Sequence, residues 1–129
     1  MEKVALMHNV KVDPDVEVTV TAGATQAIYT AVGAVISPGD NVIIFEPAYD
    51  AYAPSVRSYG GDITPIALVA PDFSIDWEQV ESAIKPSTRM IIITNPHNPL
   101  GRTLGEEDLQ ALRKIAVKYD LLVMSDEVY

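Results

Sequence analysis

A carboxylate follows directly on an apolar run. Leu121-Leu122-Val123-Met124 leads into Ser125-Asp126-Glu127-Val128-Tyr129. If the run is a buried strand, Asp126 emerges poorly solvated at its end, and a carboxylate in that position requires a positive partner. The alternative is an Asp that caps a helix. Tyr129, three residues on, can aim its hydroxyl at the same region. A second apolar run, Met90 to Ile93, leads into Thr94-Asn95-Pro96-His97-Asn98-Pro99-Leu100-Gly101-Arg102. Pro96 and Pro99 stiffen the backbone on either side of His97-Asn98. The Asn98 amide can donate to or accept from a phenolic oxygen, or it can stabilise its own turn. His97 reads as a loop residue. Two strands that end in side-chain-rich loops at one sheet edge make a ligand site in α/β proteins.

Two earlier segments offer complementary chemistry. In Thr21-Ala22-Gly23-Ala24-Thr25-Gln26, a glycine and small residues lead straight into a helical pattern. Free backbone N–H groups at a helix start bind anions, and small side chains let a phosphate approach. Such a junction also occurs for purely structural reasons. The dinucleotide and P-loop glycine fingerprints are absent. In Phe45-Glu46-Pro47-Ala48-Tyr49-Asp50-Ala51-Tyr52, Pro47 breaks a strand and presents Tyr49 beyond it. The Tyr49 ring can stack on a flat heterocycle or pack on its own loop.

The elements that must position these groups alternate between strand and helix. Glu17–Thr21 is β-branched and reads as a strand. Ala24–Ile36 follows as an amphipathic helix, with Ile28, Ala31, Val32 and Val35 on one face. Ser37-Pro38-Gly39-Asp40 is a turn, and Asn41–Phe45 is a strand. Ala51–Tyr59 reads as a helix with Pro54 in its first turn, ended by Gly60-Gly61. Ile63–Leu68 is a strand that Pro65 assigns to a sheet edge. Asp76–Ile84 is a short helix capped by Asp76 or Ser74. Thr103-Leu104-Gly105-Glu106 has capping-box spacing, opening a helix to about Lys118 with Leu109, Leu112 and Ala116 on one face. This order predicts an α/β fold: a mostly parallel sheet with helices on both faces.

Composition narrows the function classes. The 129 residues allow one domain at most, 48% of them hydrophobic. No run approaches the roughly 20 apolar residues of a membrane span, and the N-terminus lacks the pattern of a signal peptide. With no cysteine and two histidines, no metal site is expected, and a cytoplasmic location fits. The net charge of −9, with nine basic residues scattered among eighteen acidic ones, argues against nucleic-acid binding.

Together the segments resemble the aspartate-aminotransferase-like (class I/II, fold type I) pyridoxal-phosphate enzymes, nearest to the methionine- and kynurenine-aminotransferase-like subgroup. The resemblance rests on Thr-Ala-Gly-Ala-Thr-Gln-Ala-Ile, Glu-Pro-Ala-Tyr-Asp-Ala-Tyr, Asn-Pro-His-Asn-Pro-Leu-Gly and Ser-Asp-Glu-Val-Tyr, in the family's order and approximate spacing. It implies a three-layer α/β/α fold, with residues 1–129 as part of the large, cofactor-binding domain. It also implies pyridoxal 5'-phosphate as cofactor, and an amino acid and a 2-oxo acid as substrates of a homodimeric parent. By the same resemblance Gly23, Ala24 and Thr25 hold the phosphate and Tyr49 stacks on the ring. Asn98 and Tyr129 bond its phenolic oxygen, and Asp126 pairs with its nitrogen. The lysine that anchors the cofactor in this family has no counterpart here. None of the five lysines, Lys3, Lys11, Lys85, Lys114 and Lys118, stands in a matching context. The chain by itself is therefore expected to be catalytically incomplete, lacking the small domain and the rest of the large one. Residues 1–8 resemble the latter part of a family helix. In the family's geometry the strands from Asn41, Ile63, Met90 and Leu121 form a parallel group. The Glu17 strand then loses its neighbour, and Leu121–Met124 becomes an open apolar edge. A C–S lyase of the same fold, the effector module of a transcription regulator and a fragment without a ligand are the competing readings.

Overall fold

The computed structural model describes residues 10–129. Residues 1–8, expected to continue a helix, lie outside the described residues. Among the described residues four parallel strands carry the fold: β1 (Asn41–Glu46), β2 (Asp62–Ala67), β3 (Thr88–Thr94) and β4 (Leu122–Asp126). Their order across the sheet is β2-β1-β3-β4. The helices are α1 (Ala24–Val35), α2 (Tyr52–Ser58), α3 (Trp77–Ser82) and α4 (Glu106–Tyr119). None is long and apolar enough to cross a membrane.

Successive strand side chains point to opposite faces, and here both faces are apolar. Val42, Ile44, Met90 and Ile92 pack with Ile28 and Val32 of α1 and with Tyr52 and Val56 of α2. Ile43, Phe45, Ile91 and Ile93 pack with Val80 of α3 and with Leu112 and Ile115 of α4. This explains the unbroken apolar runs in β1 and β3, and it gives the expected three layers. Each such buried side chain contributes on the order of 1.5–3 kcal/mol. Pro65 pairs with Ile44 on the edge strand β2, where its missing N–H costs no ladder bond. Gly61 is required by close packing: a Cβ there would lie 2.6 Å from Ile36 Cγ2 and 2.8 Å from Val56 Cγ1. Asp76 caps α3, its Oδ1 accepting from the N–H groups of Glu78 and Gln79 at 3.0 Å each.

Four sequence expectations change. Residues 17–21 do not form a strand. They have the side chains of one, but strand structure requires a hydrogen-bonded neighbour, and none pairs with them among the described residues; Val20 is 94% exposed. The cap of α4 is Gly105, two residues after Thr103, with Asp108 Oδ2 accepting from Gly105 N–H at 3.2 Å. That start turns Leu112 and Ile115 inward and leaves Leu109 on the surface. In the last apolar run Leu121 is buried, but Leu122 is 53% exposed. β4 is thus the open edge that the family geometry implies, not a strand covered on both sides. On α1, Ala31 is exposed while Ile28 and Val32 are buried.

Ile91 is fully buried at the centre of the sheet. Replacing it with alanine should lower the unfolding free energy by about 2–5 kcal/mol. Denaturant titration checks this, and a loss below about 1 kcal/mol would contradict the central packing of β3.

Candidate functional site

The carboxyl ends of β1, β3 and β4 and the start of α1 converge on one cleft of about 220 Å³. Its lining includes Ala24, Tyr49, Asn98, Asp126 and Tyr129, and also Tyr52, Thr94 and Val128. Five of the seven residues singled out from the sequence therefore line a common space. Gly23 and Thr25 do not line it; they flank the lining residue Ala24 as the N-cap and second residue of α1.

Each side chain arrives by a definable route. Gly23 is the N-cap of α1 with φ 92° and ψ 169°, a backbone region essentially reserved for glycine. It carries no capping side chain, so the first-turn amides stay available to an external acceptor. Thr25 Oγ1 lies 3.0 Å from the Tyr49 hydroxyl, which ties this turn to the loop after β1. The Tyr49 ring meets the Tyr52 ring edge-on, with centroids 5.7 Å apart and planes at 80°. Asn98 Nδ2 donates to the Tyr129 hydroxyl at 2.9 Å. Having accepted that bond, the Tyr129 hydroxyl still has its own proton to give outward, as does the second N–H of Asn98.

The loop that presents Asn98 is braced from behind. His97 N–H donates to Arg102 O, and Gly101 N–H to His97 O, both at 2.7 Å. Asn95 Oδ1 accepts from Leu104 N–H at 3.0 Å. Asp108 anchors the far end, accepting from Trp77 Nε1 at 3.0 Å and from the Arg102 guanidinium at 3.4 Å. His97 does not line the cleft; it lines a neighbouring depression with Pro96 and Pro99. Burial, and then the nearby Arg102 charge, push its pKa below the usual histidine value. It is a neutral loop residue, as its sequence context suggests.

Asp126 is half-buried at the end of β4. Its Oδ2 accepts from the Tyr52 hydroxyl at 2.6 Å, and its Oδ1 from Val128 N–H at 3.2 Å. The Tyr52 oxygen also lies 2.5 Å from Thr94 Oγ1. Tyr52 is 3% exposed. Burial first, then the bond to Asp126, push its pKa well above the ordinary phenol value, so it stays a protonated donor. Sequence reasoning passed over Tyr52 and Thr94. The available signal was the Tyr49-x-x-Tyr52 spacing, which sets a second hydroxyl across one turn from the first, Tyr52 N–H donating to Tyr49 O at 3.3 Å.

Comparison with known proteins gives one consistent answer. The sequence model of "Aminotransferase class I and II" matches residues 2–129. Methionine aminotransferase of Escherichia coli K12 is 38% identical over 128 residues, covering 99% of this chain and 33% of that protein. Human kynurenine–oxoglutarate transaminase 3 is 35% identical over 135 residues, covering 95% of this chain and 29% of that one. The solved structure of N-succinyldiaminopimelate aminotransferase from Mycobacterium tuberculosis superposes with a TM-score of 0.95 at 40% identity, over 99% of this chain and 34% of that one. The chain spans about a third of the length of the relatives it matches. By sequence and by fold, this chain belongs to the aminotransferase class I and II family.

Proposed function

We propose that this chain supplies part of the cofactor-binding domain of an aminotransferase that uses pyridoxal 5'-phosphate to move an amino group from an amino acid to a 2-oxo acid. By the family resemblance the parent is a homodimer, and a chain without cysteine fits a cytoplasmic location. The observation that carries the reading is the set of charges around one cleft. Uncapped helix amides suit a phosphate, a fixed carboxylate suits a cationic ring nitrogen, and two outward donors suit a phenolate. The donor set therefore fits the cofactor. The cleft volume of about 220 Å³ lies below the roughly 300–1,000 Å³ of typical ligand pockets. These residues thus form one wall of such a site.

In this reading Gly23, Ala24 and Thr25 hold the phosphate on the α1 amides. Tyr49 lays its ring on the heterocycle. Asn98 and Tyr129 hydrogen-bond the phenolic oxygen, and Asp126 keeps a proton on the ring nitrogen. When bound, the cofactor supplies an electron-accepting ring, most effective with that nitrogen protonated. Asp126 thereby aids removal of the substrate's α-proton without touching the substrate.

Two outcomes are expected. In the protein that carries this chain, Asp126→Ala should remove most transamination while circular dichroism stays unchanged. Cofactor retention should weaken by about 1.5–3 kcal/mol, the worth of a hydrogen bond to a charged group. Turnover within a few-fold of the unaltered protein would remove Asp126 from this role. Second, no lysine of the described residues lines the cleft. Borohydride reduction of the 129-residue chain with added pyridoxal phosphate should therefore label none of Lys11, Lys85, Lys114 or Lys118 stoichiometrically. Mass spectrometry showing one of them fully modified would refute this.

A further inference from the structure

We infer that Tyr52, backed by Thr94, is a positioning residue that orients the Asp126 carboxylate toward the cofactor's ring nitrogen. The inference rests on the reading that Asp126 faces that nitrogen, and extends it to two residues behind it.

The direction of the hydrogen-bond chain follows from counting protons. An ionised carboxylate only accepts, so the single Tyr52 hydroxyl proton goes to Asp126 Oδ2 at 2.6 Å. Tyr52 then has no proton left for Thr94. The 2.5 Å contact must run from the Thr94 hydroxyl to the Tyr52 oxygen. The chain thus has one polarity, Thr94 to Tyr52 to Asp126, and each donation strengthens the next. It also has an anchor: Thr94 and Asp126 are register partners on β3 and β4, and Tyr52 is buried in the core beneath them.

This arrangement has a chemical consequence. One carboxylate oxygen is bonded from behind by a buried phenol. The other, Oδ1, meets one backbone N–H at 3.2 Å and keeps a lone pair for the cleft. With Oδ2 held from behind, Oδ1 stays available to accept a ring N–H, and a negative group set beside the ring nitrogen favours its protonated form. The same phenol ring packs edge-on against Tyr49, so Tyr52 supports both Asp126 and Tyr49 from one place. Tyr52→Phe separates them, keeping the ring contact and deleting only the hydrogen bond.

The test uses ¹⁵N-ring-labelled pyridoxal 5'-phosphate bound to the protein that carries this chain. Nitrogen NMR reads ring protonation, and equilibrium titration reads affinity. Tyr52→Phe should bind about tenfold or more weakly, the scale of one hydrogen bond to a charged group. Its nitrogen signal should move toward the unprotonated position. Thr94→Val should shift both readouts in the same direction, and Tyr52→Phe/Thr94→Val should be no worse than Tyr52→Phe alone. Unchanged affinity and nitrogen signal in Tyr52→Phe would overturn the inference. Asp126→Asn separates the two levels. If it moves the nitrogen signal and Tyr52→Phe does not, only the Tyr52 inference falls. If Asp126→Asn leaves the signal unchanged, the reading of Asp126 fails and this inference fails with it.

Discussion

The register of β3 against β4 sets Thr94 opposite Asp126, and the cleft depends on that pairing. Strand side chains alternate between faces, so register decides which face each one meets. Met90, Ile92 and Thr94 share the face covered by α1 and α2, and Met124 and Asp126 share it with them. A slip of one residue in β4 would bring Ser125 to that face and send Asp126 to the other side, away from Tyr52. The apolar residues below hold the register in place. Ile91 and Ile92 are buried on opposite faces, and a slip would disturb both cores.

The polar groups sit where that apolar order ends. Tyr52 belongs to the core by its ring and to the cleft by its hydroxyl. A buried hydroxyl without a partner would cost on the order of 1–3 kcal/mol; Asp126 and Thr94 satisfy it. The Asn98 loop is held differently, by a brace on its outer side. Asp108 ties α4, Trp77 of α3 and Arg102 together, which fixes the loop's far end while Asn98 reaches Tyr129. The cleft is therefore positioned from both sheet faces at once.

Much of this was legible in the sequence, for identifiable reasons. The continuous apolar runs in β1 and β3 announce strands covered on both faces, and Pro65 announces the edge. The four family segments bring Ala24, Tyr49, Asn98, Asp126 and Tyr129 to one place in the fold. What the sequence hid was relational. Glu17–Thr21 has strand chemistry without a strand partner among the described residues. Three consecutive acidic residues, Glu106, Glu107 and Asp108, left the start of α4 ambiguous; Trp77 and Arg102, distant in sequence, fix the choice of Asp108. Tyr52 looks like any helix tyrosine until its burial is known, and burial is a property of the whole sheet.

The central claim is that the ends of β3 and β4 and the start of α1 form one wall of a pyridoxal-phosphate site. A crystal structure of the protein that carries this chain, with pyridoxal 5'-phosphate bound, tests it most directly. The account predicts the phosphate on the amides of Gly23 to Thr25, the ring against Tyr49, and the ring nitrogen within hydrogen-bonding distance of Asp126. A cofactor bound with its ring nitrogen away from Asp126, or with its phosphate away from α1, would contradict it.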